Sequence, residues 1–230
     1  MKSKMDQLQR FERHGLNSNP FRSLTRDELA ESYTMLPSRT EIDLRAIAQT
    51  TSSLVEISAP EGWGKTTMLL ALLDLFKQDG LSARYHYLPR GRGDLFPDFQ
   101  SLDVFLIDEA QRLVRRERGA VRRWMREGQR RMITGTHRYW RTAGVGVSRY
   151  SIPALKREDV QGFFRRRLQL AGGKHAIGLS DEAAIWLGKS GKNLRTIERW
   201  LYEVFQHWPD DPNSKDTREL DLETIRRFLK

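Results

Sequence analysis

The chain alternates short apolar runs with longer segments in which apolar residues recur every three or four positions. Segments of strand length that are rich in strand-forming residues lie at 53–58, 83–88, 104–107, 131–135 and 150–155. Helical periodicity between them predicts helices at 41–50, 66–78 and 109–129. The run at 104–107 is continuously apolar, which is typical of a strand buried on both faces. Strands that alternate with helices predict an α/β fold in which a parallel sheet is covered by flanking helices.

The pattern changes after Pro153, where strand signals stop and only helical periodicity continues. Helices are predicted at 156–171, 180–189, 194–207 and 221–229. The sequence therefore divides into three parts: an N-terminal extension packing on the core (1–40), an α/β domain (41–155) and a small all-helical domain (156–230).

The loop between the strand at 53–58 and the helix at 66–78 has the composition of a phosphate-binding loop. A phosphate cradle needs backbone N–H groups that point inward, a helix N-terminus behind them, a lysine for the β- and γ-phosphates and a hydroxyl for Mg²⁺. The residues that supply these parts are Gly62, Trp63, Gly64, Lys65, Thr66 and Thr67. The pattern G-x-x-x-x-G-K-[ST] wants glycine where this chain has Ala59, and alanine is the mildest replacement. We expect ATP binding with Mg²⁺.

Two acids end the buried run at 104–107. Asp108 and Glu109 would lie at the carboxyl end of a strand, where open α/β sheets bind their ligands. Asp108 would then hold Mg²⁺ and Glu109 would polarise the attacking water. The alternative is an acidic cap on the helix predicted to begin there. The phosphate loop upstream favours the catalytic interpretation, which predicts an ATPase.

Together with other segments of the chain, these motifs resemble the AAA+ ATPases grouped with ExeA-type secretion ATPases and TniB- and TnsC-type transposition regulators. The resemblance is carried by Gly15 to Phe21, the phosphate loop, Leu106 to Leu113, Ile133 to Thr136 and Gly191 to Ile197. It spans about Gly15 to Phe205. It implies that 41–155 is an AAA+ nucleotide-binding domain and that 156–230 is its lid.

The resemblance also implies roles for residues outside the loop. Thr136 corresponds to the sensor-1 residue that orients the attacking water, with Thr134 and His137 as alternatives. Arg195 corresponds to the sensor-2 arginine of the lid. AAA+ ATPases form homo-oligomeric rings or filaments in which a neighbour's arginine finger reaches the γ-phosphate. The finger candidates are Arg138 and Arg141, with Arg149 as a third.

The net charge of the chain indicates the kind of molecule on which the ATPase acts. The chain has 40 Lys+Arg against 30 Asp+Glu, a net charge of +10, which favours an acidic polymer as partner. The densest cluster follows Glu109, and its members, proposed to bind nucleic acid, are Arg115, Arg116, Arg118, Arg122, Arg123 and Arg126. DNA is the favoured partner and RNA is left open. The alternative is a solvated arginine face, or one paired with a neighbouring subunit.

The composition argues against a disulfide-stabilised protein and against a membrane-spanning one. There are no cysteines, hence no disulfides or thiolate metal sites, and no apolar run of 18 residues that would span a membrane. We expect a cytoplasmic protein.

The sequence favours a nucleic-acid-binding AAA+ ATPase that recruits or regulates a partner such as a transposase or nuclease. A protein-assembly or secretion-type ATPase and a nucleotide-dependent switch with little turnover are the alternatives.

Overall fold

The computed structural model describes residues 11–12, 14–25, 27–29, 43–91, 97–128, 130–137, 139, 145–173, 177–191, 193–210 and 219–229. The chain divides into two compact units. One comprises Ile42–Pro153, and the other comprises Met1–Glu41 together with Ala154–Lys230. Within the described residues, no helix is long and apolar enough to cross a membrane.

The first unit is built on a five-stranded parallel sheet, as the alternation of strands and helices predicts. Its strands are β1 (Leu54–Ser58), β2 (Ala83–Tyr87), β3 (Val104–Asp108), β4 (Arg131–Thr136) and β5 (Val147–Ser151). The strand order is β2-β3-β4-β1-β5, and every pairing is parallel. β1 and β3 therefore both lie inside the sheet and end at the same edge. The predicted α/β class is confirmed.

The helices of this unit are α1 (Leu44–Gln49), α2 (Lys65–Gln78) and α3 (Arg115–Arg126). Asp43 caps α1 by accepting a hydrogen bond from the backbone N–H of Arg45 at 2.8 Å. α2 buries an almost continuous apolar run from Met68 to Leu73. α3 buries Trp124, which meets the ring of Phe99 edge-on at 5.7 Å, and Phe99 in turn stacks on Phe105 of β3.

Two predicted elements differ from the structure. The helix expected at 109–129 begins only at Arg115, because Glu109 is left-handed and a 3₁₀ turn, Ala110–Arg112, precedes it. The fifth strand, expected at 150–155, runs from Val147 to Ser151 instead. Pro153 has no backbone N–H for the ladder with β1, so the strand ends before it.

The second unit contains α4 (Arg157–Leu170), α5 (Asp181–Gly191), α6 (Leu194–His207) and α7 (Leu222–Phe228). It is not entirely helical as expected, because β6 (Gly178–Leu179) pairs in parallel with β7 (Glu219–Leu220). Asn193 caps α6 by accepting from the N–H of Thr196 at 2.8 Å, and Asp221 caps α7 by accepting from Thr224 at 2.7 Å. These polar caps fix where the last two helices begin.

The described part of the N-terminal segment packs within this helical unit, whereas the sequence suggested packing on the α/β core. Leu16 and Phe21 are buried in the same cluster as Phe164 and Phe205. Arg167 lies beside Phe21 and is itself buried, with Nη2 2.9 Å from Glu198. Of the three consecutive arginines Arg165, Arg166 and Arg167, the last is therefore part of the packed interior of this unit.

Candidate functional site

The loop that follows β1 has the backbone conformation that phosphate cradles need. Gly62 and Gly64 have φ of 76° and 89°, values that residues with a Cβ rarely adopt, and Gly64 is the N-cap of α2. Ala59, at the position where the motif wants glycine, is not among the described residues with positive φ. Its N–H pairs with the carbonyl of Thr136 at 3.3 Å. Alanine is therefore accommodated at this position without backbone strain.

Lys65 begins α2 and is buried, with only 6% of its surface exposed. Its Nζ donates to the carbonyl oxygens of Ala59 at 2.8 Å and Pro60 at 2.9 Å, and lies 3.4 Å from Nδ1 of His137. The ammonium is thus held against the start of the loop, between β1 and β4. Trp63 and Thr67 are half-buried in or next to the loop.

Thr66 and Asp108 meet directly. Side chains alternate along a strand, so Asp108 points away from the face on which Phe105 and Ile107 pack with α3. The Thr66 hydroxyl donates to Asp108 Oδ2 at 2.5 Å, and the Tyr85 hydroxyl donates to the same oxygen at 3.1 Å. The sequence alone gave no signal for Tyr85, whose place here depends on the pairing of β2 with β3.

Burial raises the pKa of the Asp108 carboxyl, and the hydrogen bonds from Thr66 and Tyr85 oppose that shift. The space beside the carboxylate is kept open by Gly135 on the neighbouring strand. A Cβ at Gly135 would come within 2.6 Å of Asp108 Oδ1 and 2.9 Å of Leu69 Cδ1. Any larger residue there would displace either the carboxylate or the start of α2.

Glu109 has φ of 62°, and it is the one non-glycine residue in the described ranges with a left-handed backbone. Its carboxylate is surrounded by three polar side chains. Arg112 Nη2 lies 2.6 Å from Oε2, Gln111 Nε2 donates to the same oxygen at 2.8 Å, and His137 Nε2 lies 3.2 Å from Oε1. Strain of this kind costs about 1–3 kcal/mol and is found mostly at functional sites.

His137 therefore touches both the lysine of the loop and the acid after β3, one ring nitrogen towards each. The two threonines considered with it lie differently. Thr134 is buried and donates to the carbonyl of Val55 at 3.3 Å, so its hydroxyl serves the sheet. Thr136 is buried at the end of β4. Of the three sensor-1 candidates, His137 has the described contacts to Glu109 and Lys65.

The other predicted site residues are placed as follows. Arg195 is exposed in the first turn of α6. Arg149 donates from Nε to the buried carboxylate of Glu56 at 2.9 Å, opposite it on the paired strand. Arg138 and Arg141 lie outside the described residues. Arg149, the third finger candidate, is thus paired within its own chain and keeps about half of its side chain exposed.

The arginine cluster on α3 separates into two kinds of residue. Arg118 donates to the carbonyl oxygens of Leu113 at 2.8 Å and Gln111 at 3.0 Å, so it supports the turn that carries Glu109. The helix buries Val121, Trp124 and Met125. At about 100° per residue, the other five arginines share an arc of about 120° away from that apolar face. These five, hereafter the arginine arc, are Arg115, Arg116, Arg122, Arg123 and Arg126.

Oxygen donors dominate the site, which suits Mg²⁺ rather than a transition metal. No group of three or more His, Cys, Asp or Glu side chains in the described part of the chain is arranged to hold a metal ion by itself. Mg²⁺ is commonly bound by one or two protein ligands together with substrate phosphates and water. Thr66 and Asp108 fit that limited donor set.

Comparison with solved structures identifies the fold. Domain III of the replication initiation protein DnaA from Thermotoga maritima is similar over 90% of this chain and 99% of that chain, with a TM-score of 0.61 and 15% identity. A DNA replication initiation factor is similar over 81% of this chain and 62% of that chain, with a TM-score of 0.52 and 16% identity. AMPPCP-bound DnaA from Aquifex aeolicus is similar over 76% of this chain and 62% of that chain, with a TM-score of 0.50 and 17% identity.

At these identities the similarity establishes a shared fold, the α/β fold of domain III of DnaA. No protein-family model and no curated protein sequence matches the chain.

Proposed function

We propose that the chain binds Mg-ATP at the loop 59–67 and hydrolyses it with Glu109. The observation that carries the proposal is the direct contact of Thr66 with Asp108, beside Lys65 and next to Glu109. A hydroxyl and a buried carboxylate meet there, at the carboxyl edge of a parallel sheet and the N-terminus of α2, and the neighbouring lysine bonds to the start of the same loop. This arrangement supports phosphate binding with magnesium. A DnaA structure of similar fold is AMPPCP-bound, which supports nucleotide binding by this chain.

Each residue would contribute a distinct interaction. The N–H groups at the start of α2 and the Lys65 ammonium would hold the phosphates. Thr66 and Asp108 would hold Mg²⁺, which neutralises developing charge on the phosphate oxygens. Glu109 would orient the attacking water, with His137 positioning its carboxylate. Thr136 and, from the helical unit, Arg195 remain candidates for reading the γ-phosphate.

Two substitutions separate binding from hydrolysis. Lys65→Ala should abolish binding of a fluorescent ATP analogue, because the phosphates lose their cation. Glu109→Gln should retain binding and lower phosphate release by about 100-fold or more, as expected when a water-positioning group is lost. Hydrolysis by Glu109→Gln at the wild-type rate would refute the assignment of Glu109.

We further propose that nucleic acid, with DNA favoured, is the polymer on which the ATPase acts. The arginine arc supports this, since arginine suits bidentate phosphate contacts and the arc lies opposite the buried face of α3. Binding of labelled DNA should weaken steeply with salt, in proportion to the number of phosphates contacted. Absence of binding at low salt, with and without ATP, would overturn this part.

The proposed working form is a homo-oligomer assembled with ATP, completed by an arginine finger from the neighbouring subunit. Arg138 and Arg141 are the candidates for that finger. The assembly would recruit or regulate a partner enzyme such as a transposase or nuclease, as the family resemblance implies. Electron microscopy with ATP and DNA should reveal rings or filaments, and a monomer under all these conditions would contradict the proposal.

A second candidate function is a nucleotide-dependent switch with little turnover. The three contacts of the Glu109 carboxylate favour it, because an acid held by Arg112 is less available to a water molecule. Under this alternative, Glu109→Gln would leave ATP-dependent assembly and partner regulation unchanged. Under the proposed ATPase cycle, the same variant would lock the assembly in its ATP form.

A further inference from the structure

Gly119 lies inside α3 and is exposed, although nothing in the fold requires glycine there. Its φ is not in the left-handed region, and an added Cβ would meet no atom of the described residues within 4 Å. Glycine in the interior of a helix is less favourable than alanine, because it loses more backbone freedom on folding. The fold would therefore be more stable with alanine at this position.

The surface around Gly119 is a groove of about 560 Å³, lined by Leu113, Arg115, Arg118, Gly119 and Arg122. Its three arginines lie four positions before, one before and three after the glycine, so they surround it on the helix. Among the described residues, none that lines the groove is acidic. The absence of a side chain at Gly119 leaves the floor of the groove open to close approach.

We propose that this groove receives one backbone phosphate of a nucleic acid, with Gly119 allowing the close approach and Arg115 and Arg122 flanking it. The inference rests on the proposed function, because it names a contact within the nucleic-acid interface. Arginine forks bind phosphate oxygens bidentately, and the rest of the arginine arc continues from Arg115 towards Arg126. That distance is about 16 Å along the helix, or about five steps of one DNA strand.

An anionic membrane is a poorer partner for this helix. Helices that lie on membranes insert an apolar face between the headgroups, whereas the apolar residues Val121, Trp124 and Met125 are buried inside the unit. Because these apolar residues are not available for insertion between headgroups, the arginines of the groove favour a phosphodiester backbone.

Gly119→Ala tests the groove because it should change stability and affinity for nucleic acid in opposite directions. The variant should be more stable, and should bind a labelled oligonucleotide about three- to tenfold more weakly across unrelated sequences. Gly188→Ala in α5 is the matched control, because its Cβ would meet Val160 at an ordinary 3.5 Å. The control should leave oligonucleotide affinity unchanged.

Arg122→Gln gives a second measurement. It should lower the slope of log affinity against log salt by about 0.9, the value for one phosphate contact. Wild-type binding at low salt with undiminished binding by Gly119→Ala would overturn the groove alone. No wild-type binding would overturn both the groove and the nucleic-acid part of the proposed function. Equal competition by polyglutamate would assign the groove to an acidic protein and refute the inference.

Discussion

The guanidinium of Arg112 lies 2.6 Å from the carboxylate of Glu109, three residues earlier in the same short turn. Arg112 also donates from Nη1 to the carbonyl oxygen of Leu88 at 2.5 Å, which fixes the direction of its side chain. Charge-assisted hydrogen bonds of this length are the stronger kind. In the proposed mechanism the residue that orients water is therefore restrained by a neighbouring cation.

Arg112→Ala should raise basal ATP hydrolysis, since it releases Glu109 from its strongest partner. Loss of one charge-assisted hydrogen bond of about 1.5 kcal/mol corresponds to roughly a tenfold change in rate. The measurement is phosphate release at saturating ATP without nucleic acid. Arg45→Ala, which breaks the exposed ion pair with Asp79 at 2.9 Å, is the control and should leave the rate unchanged. A slower Arg112→Ala variant would instead make Arg112 a residue that positions Glu109 productively.

The backbone of Glu109 offers a test that is independent of activity. Glu109→Gly and Glu109→Ala both remove the carboxylate, but only glycine adopts a φ of 62° without strain. The glycine variant should be more stable by about 1 kcal/mol, measured by urea unfolding. The same two substitutions at Glu117, inside α3, should give the reverse order. Equal stability of the two Glu109 variants would mean that this backbone relaxes without cost.

The sequence predicted the sheet because apolar runs such as 104–107 depend only on burial. It also singled out Lys65 and Thr66, which follow a glycine-containing loop between a strand and a helix, and Asp108, which ends the buried run. It missed the turn after Glu109, because the arginines from Arg112 onward have helical spacing. A glutamate at position 109 also gives no indication of a left-handed backbone. Tyr85 could not be assigned and His137 was only one of three sensor-1 candidates, since their contacts depend on strand register and on the end of β4.

Ala59 provides a further prediction about the loop. Ala59→Gly restores the motif glycine, yet Ala59 is not among the described residues with positive φ. The variant should therefore leave ATP affinity within about twofold and lower the free energy of unfolding by about 0.5–1 kcal/mol through chain entropy. Nucleotide titration and thermal unfolding would measure both effects. A large gain in affinity would indicate that alanine obstructs the phosphates.

His137 can be separated from the two threonines by kinetics. His137→Ala should lower kcat by about 10- to 100-fold with a smaller change in KM, because it removes the contact with Glu109 at 3.2 Å. Thr134→Val should instead lower stability by about 1 kcal/mol, since the Thr134 hydroxyl bonds to Val55 of the neighbouring strand. If Thr136→Val lowers kcat and His137→Ala does not, Thr136 is the residue that orients the water.

Replacing Asp108 by asparagine should raise the stability of the protein at neutral pH and abolish ATP hydrolysis. Burial raises its pKa above the unfolded value, so the folded protein binds this proton more tightly than the unfolded chain does. The charge of Asp108 therefore lowers stability at neutral pH. As pH falls into the range between the raised folded pKa and the unfolded value near 3.9, protonation recovers that stability.

Asp108→Asn should accordingly unfold at a higher temperature than the wild-type protein at pH 7, and the difference should shrink as the pH is lowered. It should also abolish magnesium-dependent hydrolysis, because an amide is a weaker ligand than a carboxylate for Mg²⁺. Thermal unfolding across pH and phosphate release with varied Mg²⁺ measure the two effects. Lower stability of Asp108→Asn at neutral pH would mean that the bonds from Thr66 and Tyr85 outweigh the burial of the charge.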